Sequence, residues 1–380
     1  MAANVTWSTL RELASFRAEK GCAISLYVNL DPSEAPTPSD VHSHVNSLLD
    51  EAERSKAVAR AELTHEERAS LKADFERLAH FFVEDFDRDG AKGFALFVCG
   101  LGNFWRALPL AEPMRDGVRV GRSFYIAPLA PLVGRGDGAI VAVVGREQGT
   151  VYRLTAGRLE EIVDRTDDTP GQHDQGGWSQ ARYQRHIDHL VAEHLKGVAE
   201  AIDQRHRRLG APKIVLVCAE EMRTEFLDRL SKEAREAVVG WTQADAHAAP
   251  SALLEVVTPI LEEARAKDET ETLERWREEA GRNGRAASGW ADSLEAASDG
   301  RVDVLLFQEG ADHAAFECPA CGRATLQDGA CPLDGTRLEP NPAGVDLALH
   351  RTFAHGGTVV TIRHSRDLDP VEGIGALLRF

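Results

Sequence analysis

The stretch "GAIVAVVGREQGTVYRLTAGRLEEIVDR", residues 138–165, constrains the fold more than any other. It divides into three apolar or alternating runs, 139–144, 150–155 and 158–163, separated only by the turns "REQG" and "AG". Turns that short join antiparallel neighbours, so these residues predict a three-stranded meander. The acidic loop 164–178, which contains Pro and Gly, follows it. From about Gln180 to Arg208, Ile187, Leu190, Val191, Leu195, Val198 and Ile202 recur at the spacing of one buried helical stripe. "KIVLVCAE" then reads as a buried strand, "EEMRTEFLDRLSKEAREA" as a helix and "VVGWTQ" as a further strand.

This order predicts an α/β central domain, 135–275, similar to a ribonuclease-H-like sheet. The first run, "AIVAVVG", carries no carboxylate, which argues against a two-metal nuclease on that sheet. Residues 1–134 read as a separate α/β domain. It has an N-terminal helix, the strand "CAISLYVNLDP" and helices around 41–56 and 65–86. The strands "GFALFVCG", "FWRALPL" and "FYIAPLAPLV" complete it. Residues 276–380 predict a third α/β domain built on "GRVDVLLF" and "GTVVTIRHS", with a small insertion at 316–340.

The net charge is −17, from 44 Lys and Arg against 61 Asp and Glu. That excludes a protein that coats nucleic acid non-specifically, because such binding needs excess positive charge. No apolar run approaches the roughly 20 residues of a membrane span. The first residues lack the pattern of a secretory signal, so a cytoplasmic location is expected. Cys22, Cys99 and Cys218 lie in or beside apolar runs and read as buried thiols.

"HDQGGWSQARYQRH", residues 173–186, places two glycines, a tryptophan and a glutamine ahead of the long helix, followed by arginines and histidines. Read alone, it is a Gly-containing surface loop with Ser179 as helix N-cap and a solvated basic face. Together with the opening "LRELASFRAEKGCAISLYVNLDPS" and the ending "EGIGALLRF", it resembles the archaeo-eukaryotic peptide-chain release factor and Pelota superfamily, most closely its bacterial branch. That family's Gly-Gly-Gln signature enters the peptidyl-transferase centre and promotes hydrolysis of the ester between peptide and tRNA.

The resemblance implies Gly176, Gly177 and Gln180 as the catalytic element, although Trp178 and Ser179 separate the glycines from the glutamine here. It implies RNA contacts from Arg182, Arg185 and His186, and stacking by Trp178 and Tyr183 on exposed tRNA bases. The residue types suit the chemistry. Glutamine cannot act as a base, but its amide can orient water. Glycine lets the backbone approach a ligand closely. A helix N-terminus presents free N–H groups to phosphate or to developing negative charge.

The implied partners are the ribosome, at the tRNA site of its large subunit, and peptidyl-tRNA, with delivery by a translational GTPase left open. No Asn-Ile-Lys-Ser-like decoding motif occurs in residues 1–134, so rescue of stalled or obstructed ribosomes is expected rather than stop-codon reading. Two functions stand: a codon-independent peptidyl-tRNA hydrolase, and a non-catalytic rescue or hibernation factor that occupies the tRNA site.

The remaining cysteines cluster in "ECPACGRATLQDGACPLDG". Cys318 and Cys321 form one knuckle. Cys331 opens a second, whose other position holds Asp334, with His313 as an alternative fourth ligand. Three thiols at knuckle spacing in a cytosolic chain predict structural zinc held by Cys318, Cys321, Cys331 and Asp334. The competing reading is a decayed ribbon held by Pro and Gly alone.

Overall fold

The computed structural model describes residues 5–34, 36–54, 63–88, 90–133, 138–155, 157–166, 178–245 and 248–380, with backbone only at 166 and 178–187. It is a mixed α/β structure with several sheets. The chain groups into two compact units: Met1–Val133 with Asp268–Phe380, and Gly134–Lys267. The first and third blocks suggested by the sequence thus fall into one unit.

In the first unit, helix α1 (Trp7–Ser15) precedes strand β1 (Ala23–Asn29), helices α2 (Pro38–Glu53) and α3 (His65–Glu84), and strands β2 (Gly93–Cys99), β3 (Phe104–Leu110) and β4 (Gly117–Gly121). The three helices start at Thr6, Thr37 and Thr64, each closing a reciprocal capping box that satisfies two end N–H groups. The strands form an antiparallel sheet in the order β3-β2-β1-β4. Val41, Val45 and Leu49 of α2 bury against Phe75, Leu78 and Phe82 of α3 over one face of it.

One sequence expectation fails here. "FYIAPLAPLV" is not a strand: Ala127–Leu132 is a 3-10 helix, and the edge strand is the less apolar "GVRVG". Pro128 and Pro131 explain the difference, since a proline cannot donate to a strand ladder, and Pro128 stands in the first helical turn, where proline is tolerated.

The second unit carries β5 (Ile140–Val144), β6 (Gln148–Thr155), β7 (Arg158–Thr166), α4 (Trp178–Arg208), β8 (Ile214–Cys218), α5 (Glu220–Leu227), α6 (Lys232–Glu236) and β9 (Val238–Thr242). The three-strand meander and the long helix form as the pattern predicts. The single helix expected after β8 is two, because Ser231 caps a new one through the Ala234 N–H. The sheet order is β7-β6-β5-β8-β9, with β5, β8 and β9 mutually parallel and the meander antiparallel. The central strands are apolar throughout because both faces are covered. Ile140, Ala142 and Val144 meet α4, while Val141 and Val143 meet Leu253, Val257 and Leu261 of α7 (Pro250–Gly281).

The seat of α4 depends on a close approach. A methyl group on Gly149 of β6 would come within 2.2 Å of Val198 Cγ2. Gly149→Ala is therefore expected to destabilise this unit by about 1–3 kcal/mol through overpacking, seen as a lower urea midpoint.

The first unit resumes with Leu273 and Trp276 of α7, then β10 (Ala286–Ser288), α8 (Gly289–Ser298), β11 (Val302–Gln308), β12 (Ala315–Glu317), β13 (Ala324–Thr325), β14 (Glu339–Asn341), α9 (Gly344–Ala354), β15 (Thr358–Ile362) and β16 (Ile374–Leu378). The larger sheet runs β10-β16-β11-β15, with β11 and β15 parallel. Asp346 of α9 is buried and accepts the N–H groups of Ile126 at 2.7 Å and Ala127 at 2.9 Å. His350, one turn further on, has Nε2 2.8 Å from the carbonyl of Phe124. These contacts seat the 3-10 helix against α9. Burial, opposed in part by His350 and the two N–H donors, pushes the Asp346 carboxyl up.

Candidate functional site

Helix α4 runs 31 residues from Trp178. Gly176 and Gly177 lie outside the described residues. Trp178 and Gln180 fall in its first turn, and Arg182, Tyr183, Arg185 and His186 in the turns that follow. Ser179 is likewise inside the helix, rather than the residue that caps it. Of the side chains at 178–187 only the sequence speaks.

Further along, the helix is well anchored. Leu195, Val198, Ala199 and Ile202 are buried in the core of the unit, while Leu190 and Val191 are half-buried, as the stripe predicts. Asp188 and His189 are exposed. The Arg205 guanidinium donates to the Ile162 carbonyl at 3.1 Å, and Asp203 accepts the Ser231 N–H. The helix end that follows the glycines in the sequence carries N–H groups without intrahelical partners, which suits an anion.

The second candidate is the cysteine cluster. One ligand atom from each of Cys318, Cys321, Cys331 and Asp334 lies within 4.8 Å of the others. The Cys321 and Cys331 sulfurs are 3.6 Å apart, and Cys318 Sγ is 3.5 Å from Asp334 Oδ2. A tetrahedron with zinc–sulfur bonds of about 2.3 Å has edges of about 3.8 Å, so this donor set fits the ion. His313 takes no part. Its Nδ1 faces the Ala314 carbonyl at 2.7 Å, and its ring lies beside Trp290.

The two knuckles are built alike. In the first, Gly322 N–H donates to Cys318 O at 2.8 Å and Cys318 N–H to Arg323 O at 2.8 Å. In the second, Gly335 N–H donates to Cys331 O at 2.9 Å and Cys331 N–H to Thr336 O at 2.8 Å. Gly322 and Gly335 take φ of 73° and 74°, a left-handed conformation that favours glycine. Asp334 thus stands where the first knuckle has Cys321.

Burial pushes the Cys318 thiol up, but the N–H groups of Cys321 and Ala320, with the neighbouring thiols, outweigh it and leave it below its ordinary value. Burial pushes Cys321 up to about 11. The Thr336 N–H, donating at 2.9 Å, holds Asp334 down to about 2. A cysteine sulfur beside a carboxylate is a donor pair for a cation.

The first knuckle is tied into its unit. Ala324 N–H donates to Ser298 Oγ, Arg323 pairs with Asp299, and Arg351 donates to the Cys321 carbonyl. Arg17 reaches the Pro319 carbonyl at 2.9 Å and Glu317 at 3.2 Å. Sequence reading missed these arginines, because nothing local marks partners 24 and 30 positions away from Arg323 and Arg351, or 300 and 302 from Arg17.

Comparison with known proteins bears on the first of these sites. The family described as "Bacterial archaeo-eukaryotic release factor family 10" matches residues 125–262, the stretch that contains the glycines and α4. Peptide chain release factor subunit 1 of Methanopyrus kandleri is 30% identical over 213 residues, 54% of this chain and 51% of that one, so this match spans about half the relative's length. The same factor from Archaeoglobus fulgidus is 24% identical over 87% of this chain and 84% of its own. Over residues 125–262 the chain thus resembles the bacterial archaeo-eukaryotic release factors, and over most of its length it is similar to archaeal peptide chain release factors.

Among solved structures, an archaeal translation termination factor aligns over 98% of this chain and 96% of its own at 18% identity, with a TM-score of 0.27. A chain from a model of ribosome-bound archaeal Pelota and ABCE1 covers 100% and 95% at 14% identity, with a TM-score of 0.45. Superpositions this loose add nothing to the sequence matches. Among the described residues, no helix is long and apolar enough to cross a membrane.

Proposed function

We propose that this protein is a release-factor-like, codon-independent peptidyl-tRNA hydrolase that acts on stalled or obstructed ribosomes. The observation that carries the reading is the position of Gly176 and Gly177, directly before the N-terminus of a 31-residue helix and inside the family-matched stretch 125–262. The glycines bring backbone to the tRNA's terminal ester, and Gln180 orders the attacking water. The helix N-terminus receives the developing oxyanion. Arg182, Arg185 and His186 hold RNA phosphates, while Trp178 and Tyr183 stack on bases. The sheet order β7-β6-β5-β8-β9, with its antiparallel meander and parallel half, supports a ribonuclease-H-like scaffold for that helix. The cysteine cluster takes structural zinc, and the ribosome, peptidyl-tRNA and a translational GTPase are the partners. The test is single-turnover release of labelled peptide from purified stalled complexes.

One observation favours a second reading, a non-catalytic rescue or hibernation factor. The helix has already begun at Trp178, so Gln180 sits in regular helix, separated from the glycines by two residues. Ribosome binding without any release supports that reading and overturns the first.

Both readings require RNA contact by the early turns of α4. Arg182→Glu together with Arg185→Glu is expected to weaken ribosome co-sedimentation and to flatten its salt dependence. The slope of log affinity against log salt falls by about 2, close to 0.9 for each phosphate no longer neutralised. The described packing of α4 lies beyond these positions, so the melting temperature stays within about 2 °C. Identical co-sedimentation at every salt concentration makes the two arginines a solvated face only.

A further inference from the structure

The two knuckles share one backbone but not one exposure. Cys318 and Cys331 are 0% and 3% exposed, whereas Asp334 is exposed, as are its neighbours Pro332, Leu333 and Gly335. The first knuckle is fastened to Ser298, Asp299, Arg351 and Arg17. Among the described residues, the side-chain contacts of 331–337 are made within the insertion itself, through Cys318, Cys321 and Asp328. The centre therefore has three sulfur donors, two of them deeply buried, and one oxygen donor on its open side.

We infer that Asp334 is an exchangeable ligand, and that a small free thiol, as its thiolate, takes that position on the bound metal. The inference rests on the zinc reading above and adds a ligand to it. A zinc ion already holding three thiolates is matched better by a fourth sulfur than by a carboxylate oxygen, because softer donors select it. The exchange balances simply. The metal–oxygen bond to Asp334 breaks, a metal–sulfur bond forms, and the thiol's proton passes to solvent. One singly charged anion replaces another, so the formal charge of the centre is unchanged and nothing is oxidised or reduced. The released carboxylate keeps its hydrogen bond from the Thr336 N–H, 2.9 Å away. The second knuckle thus stays folded while its ligand is displaced. Cys321, the counterpart of Asp334, cannot exchange in this way without giving up a sulfur donor.

The experiment loads the full chain with cobalt(II) in place of zinc and titrates it with 2-mercaptoethanol. Three thiolates give a set charge-transfer absorbance. Entry of a fourth raises it by about one third, with cobalt retained at one per chain. Asp334→Cys starts at the higher absorbance and does not respond. Asp334→Ala keeps the three thiolates and responds at lower thiol concentration than the parent. An unchanged spectrum with cobalt still bound overturns the inference, as does thiol that strips cobalt instead of adding to it. A chain that binds neither cobalt nor zinc fails at the metal reading itself, which the cobalt stoichiometry reports separately.

Discussion

Replacing Gly177 by alanine is expected to abolish peptide release and to leave ribosome association intact. A single methyl group takes away no group that holds a phosphate, so binding survives. On the proposed reading it fills the space in which backbone approaches the ester, and it narrows the φ range open to that residue. Gln180→Ala is expected to slow release by roughly 10²–10³-fold, the loss typical of removing one positioning or oxyanion donor. Trp178→Ala acts chiefly on affinity by removing a stacking platform, worth about 1–3 kcal/mol for a base on an aromatic ring. The measurement is single-turnover hydrolysis of peptidyl-tRNA at saturating protein, so that kcat effects separate from binding. Parent-like release by both Gly177→Ala and Gln180→Ala removes the 176–180 segment from the chemistry. It would leave the helix N-terminus without the loop that is meant to serve it.

What the sequence reveals of this protein divides along a physical line. Local patterns are legible: short turns impose the antiparallel meander β5-β6-β7, and the stripe from Leu190 to Ile202 marks the face of α4 that buries. Apolar character alone misleads. "FYIAPLAPLV" is as apolar as a strand, yet its prolines make it a 3-10 helix, and the plainer "GVRVG" pairs with β1. Long-range organisation is not legible. The carboxylate that seats the 3-10 helix is Asp346, 220 residues from Ile126, and nothing near either residue announces the other. The same holds for the grouping of 1–133 with 268–380, which sequential reading divides into separate blocks. The four clustered donors lay within reach because knuckle spacing is local chemistry. The arginines around them belong to the long-range class.

Cys318→Ser is expected to take the chain from about one bound zinc to well below one, and to open residues 316–341 without unfolding the rest of its unit. Apart from the ties of its first knuckle to Ser298, Asp299, Arg351 and Arg17, and Ala324 in the main core, the insertion has little else to hold it. Its strands are three, two and three residues long, and its buried cluster is Cys318, Cys331 and Leu338. A sheet that short with so small a core is not stable alone. Structural zinc supplies about 10–16 kcal/mol of apparent binding energy in small domains, enough to fold such a piece outright. Serine is a poor zinc ligand, and at a position with no solvent exposure it adds a hydroxyl that must find a new partner. The larger sheet keeps its own cores, so a cooperative main transition persists. Elemental analysis of protein purified without added metal gives the stoichiometry, and limited proteolysis maps cleavage to 316–341. Arg323 and Arg337 lie inside the insertion and offer tryptic sites that metal protects in the parent. Cleavage there should appear in Cys318→Ser and in the chelated parent alike, and adding zinc should restore protection to the parent alone. A parent that carries no zinc, and whose proteolysis pattern is indifferent to added zinc, leaves Pro and Gly as what holds the knuckles and makes the cluster a decayed ribbon.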